Sequence, residues 1–301
     1  MFSNDIIPER CCFNNTISFS IAKFNLAVDL ESSANWEQCP SLLFSFIDSV
    51  RGSNITRLRF KWIEDDDFCD EKITTRFYSQ LRKKWLDSFH DGTDQIFYPI
   101  ANNIWTVLFS ADRGNALGIG PKCYFFDIFR GALDLGYIRL SMSSNFLVLH
   151  AAAIIVSGNC FLFLAISGGG KTTLSQNAIN LGYKVLSDDR VFVIKGTDAY
   201  YAYGTPFGKF GMNIGPYPIA GVFIIEQSVQ NYVNPVTSVD VFEEVWFIEY
   251  ERRRRCFGNL PASGFFSQFM DFLKYHPTFC LKFKKDFDDW DYLVKIVESY
   301  K

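Results

Sequence analysis

The residues with chemical potential gather between positions 150 and 190. Ala165-Ile166-Ser167-Gly168-Gly169-Gly170-Lys171-Thr172-Thr173 lies between an apolar run, Phe161 to Ile166, and a segment that reads as a helix. Strand, glycine-rich turn, Lys-Thr and helix is the layout of a phosphate-binding P-loop. Glycines let backbone N–H groups fold inward around a polyphosphate. The following helix offers its unpaired N–H groups and positive dipole end to the same anion. Lys171 supplies a mobile charge for the outer phosphates, and the Thr172 hydroxyl is suited to Mg2+. Ser167, Gly168, Gly169, Gly170, Lys171, Thr172 and Thr173 are therefore the candidate nucleotide-binding residues, with ATP and Mg2+ the expected ligands. Ala165 stands where the pattern normally has its first glycine.

Neighbouring elements must bring further groups to that loop. A helix from Thr172 to about Leu181, closed by Gly182, leads into a short strand, Lys184 to Leu186. That strand ends in Ser187-Asp188-Asp189-Arg190, and a second strand, Val191 to Ile194, follows. A carboxylate at such a strand end is placed to hold a metal or accept a proton. Upstream, Phe146 to Leu149 leads into His150, and the turn Ser157-Gly158-Asn159 folds a 147–156 strand back along the strand feeding the loop. That pairing carries His150 toward the phosphate end. Two adjacent acids on a strand point opposite ways, which suits one to proton transfer and the other to metal binding.

Taken together, Leu149-His150-Ala151-Ala152, Ser167 to Thr172 and Leu186-Ser187-Asp188-Asp189-Arg190 resemble the HPr kinase/phosphorylases and their divergent relatives. The spacings agree, with 21 residues from His150 to Lys171 and 17 from Lys171 to Asp188. Tyr203-Gly204-Thr205-Pro206-Phe207-Gly208-Lys209 and Ile219 to Gln227 look like the kinase-like branch found near peptide-modification genes. The resemblance covers residues 146–301 and implies a P-loop kinase core of HPr kinase/PEP carboxykinase type, a mixed sheet with flanking helices. It further implies a serine kinase, with Asp188 as general base and His150 beside it to tune that carboxylate. Asp189 and Thr172 would hold the metal, and a hexamer is the family's assembly. Classical members also carry a Leu-Glu-Ile-Arg-Gly segment after the Asp pair, and nothing like it stands between Val191 and Pro218. The likeness thus stops short of a third metal ligand, phosphorylase activity and HPr as substrate.

The expected reaction is phosphoryl transfer from ATP to a serine or threonine of a protein or ribosomally made peptide. A non-catalytic nucleotide-binding module, or a small-molecule P-loop kinase or ATPase, are the alternatives. A net charge of −3 gives no basic footprint, so nucleic acid is not an expected partner. Eight cysteines show no CxxC pair or zinc spacing and are expected to be reduced. No signal peptide is legible at the N-terminus. His150 and the Ser-Gly-Asn turn divide the apolar 146–166 stretch into strands rather than a membrane span, and the expected location is cytoplasmic.

Residues 1–145 read as an α+β region, a possible recognition domain, without chemistry of their own. Alternation at 16–22 and 57–62 predicts half-buried antiparallel strands, and Trp105 to Phe109 another. Apolar residues at 73, 77, 81, 85 and 89 predict an amphipathic helix with a basic face. Glu64 to Asp67 reads as a solvated turn, Asn115 to Pro121 as a loop, and Tyr124 to Leu135 as a helix. Farther on, Thr197-Asp198 closes a hairpin into Tyr200 to Tyr203, and Lys209 is a candidate phosphate contact. Val222 to Ile225 reads as a strand, Val239 to Ile248 as a helix capped by Ser238, and 265–275 as a helix stopped by Pro277. Arg252 to Arg255 is the strongest basic cluster, read as an exposed helix end. A strand over Phe279 to Phe283 and a closing helix capped by Asp286 complete the chain.

Overall fold

The computed structural model describes residues 16–21, 24–30, 55–64, 83, 96–100, 105–110, 114–142, 144–210, 215–257 and 263–300. Within the amphipathic helix expected at 73–89, the one described residue, Lys83, is helical and exposed, and Asp65 to Asp67 of the acidic run lie outside the described residues. The chain divides into two compact units, Met1–Arg139 with Arg255–Phe257, and Leu140–Arg254 with Gly258–Lys301. The fold is α/β, with five α-helices among the described residues.

In the first unit, six strands form one sheet: β1 (Thr16–Ile21), β2 (Phe24–Leu30), β3 (Ile55–Glu64), β4 (Ile96–Ile100), β5 (Trp105–Ser110) and β6 (Asn115–Gly120), in the order β1-β2-β3-β6-β5-β4. The strand at 57–62 is β3, but it runs parallel to both β2 and β6 instead of antiparallel. Asn115–Gly120 is a fully buried strand, not a loop. Its glycine has a packing reason: a Cβ on Gly118 would meet Ile128 Cγ2 at 2.5 Å and Phe60 Cζ at 2.9 Å. The helix α1 (Phe125–Met142), longer than expected, lays Phe125 and Phe129 against Phe60 at ring distances of 6.2 and 5.3 Å.

In the second unit, nine strands make a mixed sheet: β7 (Phe146–Leu149), β8 (Ala151–Val156), β9 (Asn159–Leu164), β10 (Lys184–Ser187), β11 (Val191–Lys195), β12 (Tyr200–Tyr203), β13 (Tyr217–Gln227), β14 (Tyr232–Pro235) and β15 (Thr278–Phe283). Its main path is β10-β8-β9-β13-β12-β11-β7, with β15 beside β13 and β14 beside β15. The expected single strand over 147–156 is broken at His150. β7 pairs with β11, whereas β8 pairs with β9 and β10. Alternate β8 residues serve two cores, which is why the strand is apolar throughout. Ala151, Ala153 and Ile155 face α3 (Ser238–Phe257) and α4 (Ser263–Tyr275) through Val241, Val245 and Phe272. Ala152, Ile154 and Val156 face α2 (Lys171–Asn180) and α5 (Trp290–Ser299) through Leu174, Trp290 and Leu293.

Two helix starts differ from the sequence reading. Thr237, not Ser238, caps α3: the Thr237 N–H and hydroxyl donate to Asp240 Oδ2, both at 2.7 Å, and Asp240 N–H returns a bond to Thr237 Oγ1 at 3.2 Å. Ser238 instead donates to the Leu273 carbonyl of α4 at 3.1 Å. Asp289, not Asp286, caps α5 by accepting the Tyr292 N–H at 3.3 Å. Among the described residues no helix is long and apolar enough to cross a membrane.

Candidate functional site

The site is assembled where three chain reversals meet at one end of the second sheet. β8 runs antiparallel to β9, with Ala151 opposite Leu164 and Val156 opposite Asn159. β10 is antiparallel to β8 on its other side, so β9 and β10 point the same way. The exit of β9 into the 165–173 loop, the exit of β10 into Asp188-Asp189, and the entry to β8 after His150 therefore share an edge.

The loop itself is built around backbone only glycine tolerates. Gly170 has φ 102°, and a Cβ there would meet Phe283 Cζ at 2.7 Å and Gln227 Nε2 at 3.0 Å. A turn closes where Gly169 N–H donates to the Ile166 carbonyl at 3.1 Å. Gly170 is also the N-cap of α2 and supplies no side-chain acceptor, so the first N–H groups of the helix stay directed at the loop. At the far end, α2 stops at a left-handed Gly182. The Gly182 and Tyr183 N–H groups donate to the Ile179 and Ala178 carbonyls, both at 2.9 Å. Ser167, Gly168 and Thr172 are exposed, Gly169 and Thr173 are half-buried, and Lys171 is buried.

Lys171 curls back over its own loop, its Nζ donating to the Ala165 carbonyl at 2.8 Å and the Ile166 carbonyl at 3.2 Å. Burial brings its pKa down from 10.5 to about 8, against the opposing pull of Asp189. Thr172 Oγ1 donates to Asp188 Oδ2 at 3.1 Å. The other oxygen, Asp188 Oδ1, accepts the backbone N–H groups of Lys209 at 2.7 Å and Phe210 at 3.1 Å. Asp188 is buried by this embrace, only 5% exposed.

Asp189 points the other way. Its Oδ1 takes His150 Nδ1 at 2.8 Å and Arg190 Nη1 at 2.9 Å. The same His150 Nδ1 also meets Arg190 Nη1, and it lies 3.0 Å from the Asp189 carbonyl oxygen. Burial works to raise the Asp189 pKa, but the Arg190 guanidinium and then the His150 ring hold it well below the usual carboxylate range. The sequence reading set His150 beside Asp188; the structure pairs His150 with Asp189 and Thr172 with Asp188. Both aspartates lie in the bend that follows the end of β10 at Ser187, where Asp188 turns to the 165–173 loop and Asp189 to His150, which approaches from β7 beside β11.

Several members of the site were not expected from sequence. Ser187 is a fully buried hub: its hydroxyl donates to the Phe207 carbonyl at 3.2 Å and accepts the N–H groups of Asp189 and Arg190 at 3.3 and 3.2 Å. Thr205 Oγ1 donates to the Arg190 carbonyl at 2.6 Å, tying the 204–210 loop to the Asp pair. Gly208 has φ 86° and lies so near Asp188 Oδ1 and Asp189 that a Cβ has no room. Glu249, from α3, accepts the His150 N–H at 2.7 Å. The one legible signal was the glycine in Phe207-Gly208-Lys209. Glu249 had none, being one of several acids in a charged helix and 99 residues from its partner. Lys209 contributes its backbone, while its Nζ lies 5.1 Å from the Phe210 ring centre. Arg252 to Arg255 lie on the backbone of α3, and their side chains fall outside the described residues.

Chemically, the arrangement offers an anion cradle, a hydroxyl–carboxylate pair of hard oxygens, and a second carboxylate held by an imidazole and a guanidinium. Among the described residues no group of three or more His, Cys, Asp or Glu gathers as a metal cluster. Mg2+ does not require one, since it usually takes one or two carboxylates plus phosphate and water oxygens. No protein-family model matches the sequence, and no curated protein matches it either.

Proposed function

We propose that this chain is a P-loop phosphotransferase with a core of HPr kinase/PEP carboxykinase type. In this reading it moves the γ-phosphoryl group of ATP to a serine or threonine hydroxyl of a protein or ribosomally made peptide. One observation carries the reading: Thr172 at the start of α2 lies 3.1 Å from Asp188 at the end of β10, with the His150–Asp189 pair alongside at 2.8 Å. The antiparallel β8 standing between β9 and β10 favours this reading over an ordinary P-loop ATPase or small-molecule kinase, whose nucleotide sheets are mostly parallel.

Thr172 Oγ1 and Asp188 Oδ2 are the donors suited to Mg2+, which would neutralise phosphate charge when bound. The N–H groups of the 167–173 loop and of the first turn of α2 receive the phosphates. Lys171 exchanges the Ala165 and Ile166 carbonyls for phosphate oxygens. The acceptor oxygen forms its bond to the γ-phosphorus as the bond to the β–γ bridging oxygen breaks and ADP leaves. The hydroxyl proton passes to Asp189, which His150 and Arg190 hold in place. A carboxylate of low basicity suffices because little negative charge builds on the attacking oxygen in a loose transition state. In this reading the two aspartates exchange the roles that resemblance gave them.

The test is incubation of the full chain with [γ-32P]ATP, Mg2+ and a panel of proteins and precursor peptides, beside Lys171→Ala, Asp188→Asn and Asp189→Asn. Label on a serine or threonine of one partner, reduced about 100-fold or more in every variant, is the expected result. Nucleotide binding without transfer to any partner, or label that survives in the variants, would contradict it.

A further inference from the structure

The strand break at His150 needs something to hold it. β7 pairing ends at Leu149, opposite Val191, and β8 pairing begins at Ala151, opposite Leu164. His150 therefore belongs to neither ladder, and its N–H points out of the sheet. Glu249 reaches it from α3 and accepts that N–H through Oε1 at 2.7 Å. This carboxylate has 0% exposure, and a buried charge is tolerated only where its surroundings repay the lost hydration. At 2.7 Å the bond from the His150 N–H to this buried oxygen is short, so it fixes the main chain from which the imidazole projects.

We infer that Glu249 is a positioning residue: by clamping the main chain at the β7–β8 break, it aims the His150 ring at Asp189. The inference deepens the phosphotransferase reading and rests on it for its kinetic consequence. Glu249 acts through His150. Its carboxyl oxygen meets the backbone of that residue, so this contact works by geometry, and any charge on Glu249 felt by Lys171 is absent from both the glutamine and the alanine variant. A glutamine at 249 retains a carbonyl oxygen for the His150 N–H, whereas an alanine removes the acceptor.

The full chain, Glu249→Gln and Glu249→Ala are compared by steady-state transfer kinetics, by nucleotide affinity, and by the NMR ring C–H resonances of His150, assigned with His150→Gln. The expected result for Glu249→Ala is a kcat about 100-fold lower, as small misplacements produce, with KM for ATP unchanged and the ring resonances shifted. Glu249→Gln is expected to recover kcat to within about threefold, with resonances near those of the parent. Parent-like kcat and resonances in Glu249→Ala would overturn the inference, as would an effect confined to KM or equal damage from both substitutions. If the parent transfers no phosphoryl group, the phosphotransferase reading fails by itself. The resonances then decide Glu249: shifted in the alanine and restored in the glutamine variant upholds the clamp, and no shift removes it.

Discussion

At the scale of single residues, Lys171 carries the clearest pH signature. Burial has lowered its pKa from 10.5 to about 8, so its charge is present below that value and lost above it. Nucleotide affinity is therefore expected to fall as pH rises through about 8, by up to about tenfold per pH unit. Lys171→Arg, which stays charged, should flatten that limb; fluorescent-nucleotide titration across the range checks both. Gly208 makes a second case. A side chain there meets positive φ together with the Asp188 carboxylate. Gly208→Ala is expected to lose about 1–3 kcal/mol of stability in urea unfolding. It should also free Asp188 from the Lys209 and Phe210 N–H groups, cutting transfer about 100-fold.

The individual site residues were legible to different degrees. Lys171 and Thr172 stand in a local pattern whose geometry follows from chain order, glycines then helix. The Asp pair was equally visible as an acidic strand end. Which aspartate meets Thr172 and which meets His150 depends on how the chain bends after β10 ends at Ser187, and on β7 pairing with β11 and not β9. Those are long-range facts, and periodicity within one segment holds no record of them.

At the scale of elements, α5 supports the strand that delivers the 165–173 loop. Trp290 is fully buried and sets its ring edge-on to Phe163 of β9 at 5.9 Å and to Phe287 at 5.2 Å. Trp290→Ala is expected to cost about 3–5 kcal/mol, read as a lower denaturation midpoint at unchanged slope. Elements with strong periodicity or clear punctuation were readable: the 157–159 turn, the Gly182 stop and the strand Tyr200–Tyr203 all lie where composition set them. The failures have local causes. Asn115–Gly120 looked like a loop because glycine normally breaks strands, yet Gly118 is small to admit Ile128 and Phe60. The caps of α3 and α5 were misread because several Thr, Ser and Asp residues precede each helix, and the winner is the one whose side chain reaches a free N–H.

At the scale of the molecule, a nine-stranded mixed sheet with helices on both faces brings together groups from residues 150, 165–173, 188–190, 205–210 and 249. The α/β class was legible from the strand and helix patterns. The sheet order was not, because β13 passes from β12 at Tyr217 and Pro218 to β9 and β15 farther along, a bend that no single pairing announces. A nucleotide bound at that edge is the central claim for the whole chain. The most direct measurement is isothermal titration of the full chain with ATP, with and without Mg2+, beside Lys171→Ala and Asp188→Asn. One site per chain, tightened by Mg2+, is the expected result. Lys171→Ala should weaken it about tenfold or more, and Asp188→Asn should abolish the benefit of Mg2+. No binding heat across conditions, or binding indifferent to both substitutions, would contradict it.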